Sequence, residues 1–138
     1  MAKISVNKLN LSKESLSEEI DFNGNKITVK VKIGSSDKSE IIDRSIGGSL
    51  TSYGVDEVIL DSLVHYWIAL KQTNIALKEN IEIQEALKLV DQFSESGLLL
   101  KILSAIDVDE YNFLLECCKS QTAKADVFIN SRLMGDNL

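Results

Sequence analysis

A chain of 138 residues, 44% hydrophobic and 26% charged, has the length and composition of one globular domain. Its formal net charge of −6 excludes a general binder of nucleic-acid backbones, which needs a basic face, and argues against an anionic membrane surface as partner. No apolar run reaches the ~18 residues of a membrane span, and "MAKISVNKLNLSKES" has no continuous apolar secretion segment, so a cytoplasmic protein is expected.

Residues 18–33, "EEIDFNGNKITVKVKI", alternate as half-buried strands do, with Ile27, Val29, Val31 and Ile33 on one face and lysines and Thr28 on the other. Asn23-Gly24-Asn25 supplies residues that tolerate the positive φ of a tight hairpin. A turn centred on Gly24-Asn25 would set Phe22 opposite Ile27, Ile20 opposite Val29 and Glu19 facing Lys30. That register is expected over a two-residue loop at Asn23-Gly24, which would put Phe22 against Asn25. Ile4 and Val6 offer a weaker third strand.

A helical part is expected from residue 36 to residue 134. It opens with a short helix over 36–46, ended by "GGS" at 47–49. Residues 55–72 carry Val55, Val58, Ile59, Leu63, Tyr66, Trp67 and Leu70 at helical spacing, with Leu60, Val64 and Ile68 widening the apolar arc. Glu57, Asp61 and His65 share a stripe of that helix, read as a solvated polar face rather than a metal site or proton relay. Ile83, Ala86, Leu87, Val90 and Phe93 predict a further amphipathic helix over 81–93, with Gly97 as the left-handed residue after its end.

"LLLKILSAI" at 98–106 is apolar on nearly every side. Leu98, Leu99, Leu100, Ile102 and Leu103, with Ile106, cover too much of one short helix for a single neighbour to bury. Either the helix is central and all of this is ordinary core, or part of it faces a partner or a second copy, which makes the first five the candidate partner-binding residues. From Asp107 onward Tyr111, Leu114, Leu115, Cys118, Ala125, Phe128 and Ile129 form one stripe, closed by Gly135. The fold class that results is α+β: about five helices and an N-terminal β-hairpin in a single domain over 1–138.

The carboxylates of "AIDVDEYN" do not spell a reaction. Asp107 and Glu110 have the spacing of a capping box, in which Asp107 accepts from the first-turn N–H groups and Glu110 reaches back to the N–H of Asp107. A calcium loop starting at Asp107 would need an oxygen ligand, a glycine and a glutamate where Tyr111, Asn112 and Cys118 stand. Cys117 and Cys118 are adjacent, and helical neighbours point about 100° apart, so one is expected inward and the other as a partly exposed thiol. With one histidine, no CxxC, no phosphate-binding glycine loop and no G-x-S-x-G, neither an enzyme, a metal nor a cofactor is expected.

The layout also resembles a known family. A lysine-rich start leads to the hairpin, "VHYWIAL" precedes "NIALKENI", and "ESGLLLKILSAIDVDEYNFLLE" runs into a helix ending "INSRLMG". This is similar to the tail assembly chaperones of tailed phages infecting Gram-positive bacteria. The most specific piece is Ser96 to Tyr111; where the family often has proline after the isoleucine, Asp107-Val108 stands here, altering the cap but not the helix. The resemblance implies a non-enzymatic factor in the host cytoplasm. It would keep the tape measure protein soluble while tail tube protein assembles around it, with self-association at the hairpin edge as a further expectation. It carries no catalytic residues over. The rival classes are a structural component of the virion, such as a head–tail connector or tail completion protein, and a small inhibitor of a host protein.

Overall fold

The computed structural model describes residues 2–9, 11 and 16–136. Among them are five α-helices and an antiparallel hairpin of β1 (Ser17–Phe22) and β2 (Asn25–Lys30), the α+β class expected. A short 3-10 helix at Val6–Leu9 occupies the place offered for a third strand.

The hairpin register differs from the expected one. Phe22 pairs with Asn25, Ile20 with Ile27 and Glu19 with Thr28, around a two-residue turn at Asn23-Gly24. Asn23 (φ 49°) and Gly24 (φ 80°) both take the left-handed conformation, the turn whose twist matches that of the flanking strands. The apolar face survives because the two registers differ by two residues, so Ile20 and Phe22 still lie on the side of Ile27 and Val29. The outer edge of β2 is closed by a segment distant in sequence: Asn74 N–H donates to the Thr28 carbonyl (3.2 Å), and Gln72 Nε2 donates to that of Lys30 (3.0 Å).

Helix α1 (Ser35–Ser49) runs through the glycines expected to end it. Gly48 lies against α2 (Glu57–Gln72), and a Cβ there would come within 2.6 Å of Leu63 Cδ1. The glycine therefore serves close helix packing and not termination. Between these helices lies a small hairpin that sequence periodicity did not show, β3 (Leu50–Thr51) with β4 (Gly54–Val55). Asp56 then caps α2, its carboxylate accepting from the N–H groups of Val58 (3.0 Å) and Ile59 (3.1 Å). Every residue from Leu63 to Ala69 is buried, so α2 is the central helix of the core.

Helix α3 (Ile83–Glu95) is followed by Gly97, left-handed at φ 83°, and by α4 (Leu98–Ala105). Helix α5 (Val108–Asp136) continues through Gly135, which does not close it. Asp107 caps it, accepting from Glu110 N–H at 3.1 Å. The reciprocal half of the capping box is not made. Asp107 N–H donates to the Val31 carbonyl (3.0 Å), which frees the Glu110 carboxylate to accept from buried Ile33 N–H (2.7 Å) and to pair with Lys38 (3.5 Å). Leu114, Cys118 and Thr122 are the buried stripe of α5; Phe128, expected on it, is exposed.

Candidate functional site

The structure divides the apolar stretch of α4. Leu98 and Ile102 are buried in the core with Ile106, and Leu103 packs against that core. Leu99 is half-buried, and Leu100 points out at 71% exposure. The five residues singled out in the sequence are thus not one surface, and of them Leu100 is the one exposed to a partner.

A broader opening lies between α2 and α5. Glu57, Leu60, Asp61 and Val64 form one wall, spaced i, i+3, i+4 and i+7 along α2. Leu115, Cys118, Lys119, Thr122, Ala123 and Asp126 form the other. The groove has a volume of about 420 Å³. Its α5 wall is ~16 Å long, three turns of helix. Leu60, Val64, Leu115 and Cys118 make an apolar floor, and the carboxylates of Glu57, Asp61 and Asp126 stand along it with the ammonium of Lys119.

Polar contacts at both ends hold the walls. At the near end the Tyr111 hydroxyl lies 2.7 Å from Nε2 of His65, whose Nδ1 is 2.7 Å from the Asp61 carbonyl. A carbonyl only accepts, so Nδ1 carries the ring proton and Nε2 accepts from Tyr111. At the far end Asp126 Oδ1 accepts from Val55 N–H at 3.0 Å, bringing β4 against α5. Gly54 leaves room for that carboxylate, since a Cβ there would lie 2.5 Å from Asp126 Oδ1. His65 is therefore buried and bonded, not part of a solvated face; Glu57 and Asp61 on the same stripe are exposed, as expected.

Burial raises the phenol pKa of Tyr111, with the charge of Asp61 adding to the effect. Burial first, then neighbouring Cys117, pushes the Cys118 thiol up to about 11. The thiol is neutral at ordinary pH and serves as an apolar floor group rather than a nucleophile. Cys117 is half-buried, which matches the inward and partly exposed roles expected of the pair. Among the described residues no group of three or more His, Cys, Asp or Glu is placed to hold a metal, and no helix is long and apolar enough to cross a membrane.

Compared with protein families, with curated proteins and with solved structures, the chain matches none.

The parts of this groove were visible in the sequence as separate stripes. Glu57 and Asp61 stood on the polar side of one helix, and Leu115 and Cys118 on the apolar side of another. No local signal joins them, because which two helices flank a groove is set by the path of the chain between them. Leu60 and Val64, the flank of the apolar arc beside Glu57 and Asp61, would have been the one clue to a shared opening.

Proposed function

We propose that the protein is a non-enzymatic tail assembly chaperone of a tailed phage, acting in the host cytoplasm. It holds a helical segment of the tape measure protein in the groove between α2 and α5 while tail tube protein assembles. The observation that carries this reading is an apolar floor bordered by Glu57, Asp61 and Asp126, on a chain whose layout resembles that family. An amphipathic helix fits such a groove by seating its apolar stripe on the floor and presenting lysines or arginines to the carboxylates. Each fully buried leucine or phenylalanine of the client contributes roughly 1.5–3 kcal/mol, so two or three anchors give a reversible hold.

Co-purification with co-expressed tape measure protein tests the reading. Glu57→Lys with Asp61→Lys reverses exposed charge on the groove and is expected to abolish capture with the fold retained. Leu100→Lys, on the outward side of α4, is expected to leave capture intact. The opposite pattern would move the docking surface to α4. Mass spectrometry of purified particles separates the structural reading, since a chaperone is absent from them.

A further inference from the structure

Two surfaces have no match among the described residues of one copy, and they complement each other. The first is the outer edge of β1. Val31 N–H donates to the Leu16 carbonyl at 2.9 Å, which sets the phase of the ladder. Glu18, Ile20 and Phe22 then turn their backbone groups toward β2, while Ser17, Glu19 and Asp21 turn theirs away. The Asp21 carbonyl accepts from Lys101 Nζ at 2.7 Å. Among the described residues no other partner meets this edge, whereas the edge of β2 is closed by Gln72 and Asn74. Three carboxylates, Glu18, Glu19 and Asp21, make the β1 edge acidic.

The second surface is the segment over residues 2–9. Ile4 and Val6 are 70% and 67% exposed, and they alternate with polar residues as a strand requires. Lys3 and Lys8 give the segment positive charge in a chain of net charge −6. In this structure the segment carries a 3-10 helix and does not lie on the β1 edge of its own chain.

We infer that the chain self-associates by strand addition: residues 2–9 of one copy add to the outer edge of β1 in a second copy. The backbone groups of Ser17 and Glu19 supply the ladder, and Ile4 and Val6 extend the apolar side of the hairpin. Lys3 then lies on the side of Glu19 and Asp21, and Lys8, two residues past Val6, on the side of Glu18. The exchange is reciprocal, so a two-fold dimer results and closes both edges.

Sedimentation velocity of the full chain from low to high micromolar concentration tests the inference. The expected result is a dimer that dissociates on dilution and weakens with salt. Ile4→Asp with Val6→Asp removes the apolar face of the segment and is expected to give a monomer. Glu19→Pro removes only an outward N–H and is also expected to give a monomer, with its helical circular dichroism unchanged. Mixing the two variants restores association, since one brings an intact edge and the other an intact segment. If proline unfolds the hairpin, Glu19→Lys with Asp21→Lys replaces it and is expected to give a monomer. A wild-type chain that stays monomeric throughout overturns the inference. So does a dimer that survives either the segment variant or a folded edge variant.

Discussion

The Tyr111 hydroxyl donates to Nε2 of His65 across 2.7 Å and ties α5 to α2 at one end of the groove. Because the histidine is buried and its other nitrogen is committed to the Asp61 carbonyl, no second partner replaces the phenol. Tyr111→Phe keeps the ring but leaves Nε2 unpaired, at a cost of about 1–3 kcal/mol. Urea unfolding should show a lower midpoint with an unchanged slope. A midpoint equal to wild type would mean that the bond adds nothing to the fold.

The Glu110 carboxylate is expected to matter more than an ordinary first-turn acid. It accepts from Ile33 N–H at 2.7 Å, so Glu110→Ala strands a buried donor, whereas Glu110→Gln keeps an acceptor. Glu110→Ala should cost about 1–3 kcal/mol and Glu110→Gln clearly less. Asp107→Ala, which removes the cap, should cost about 1 kcal/mol. Chemical denaturation of the three variants gives the order; equal losses for Glu110→Ala and Glu110→Gln would contradict the assigned bond.

Neighbouring glycines of α1 should respond with opposite sign. A Cβ on Gly47 meets nothing within 4 Å, so Gly47→Ala gains up to about 1 kcal/mol of helix propensity. Gly48→Ala receives the same backbone gain but drives a methyl against buried Leu63, and overpacking of this kind costs about 1–3 kcal/mol. Thermal unfolding should rank Gly47→Ala above wild type and Gly48→Ala below it. Two stabilised variants would show that the α1–α2 contact is looser than described.

Alkaline pH should destabilise the fold. Burial pushes the Cys118 thiol from 9.0 to about 11 and raises the phenols of Tyr66 and Tyr111. A raised pKa in the folded state contributes stability that is complete below the unfolded value and lost as pH rises through the folded one. The loss for Cys118 therefore falls between about pH 9 and pH 11, with the tyrosines adding to it above their ordinary value near 10. Denaturation midpoints measured across that interval should fall, and Cys118→Val should flatten the slope. An unchanged slope in the variant would show that the thiol does not titrate with unfolding.

Elements that depend on near neighbours were legible in the order of residues alone. The alternation of residues 18–33 identified a hairpin, and the 3.6-residue spacing of apolar groups identified the central helix and those after it. Asp107 could be read as a cap because its partner is three residues away. Local patterning failed where a distant group competed. Gly48 looks like part of a stop until Leu63 is set beside it, and Glu110 looks like half of a capping box until Val31 and Ile33 arrive from the hairpin. The register failed for a different reason. Two registers preserve the same apolar face, and the choice rests on the conformations of Asn23 and Gly24, not on side-chain pairing. The groove was decided by tertiary structure alone, since Tyr111 with His65 and Asp126 with Val55 set the separation of two helices over distances that no local pattern spans.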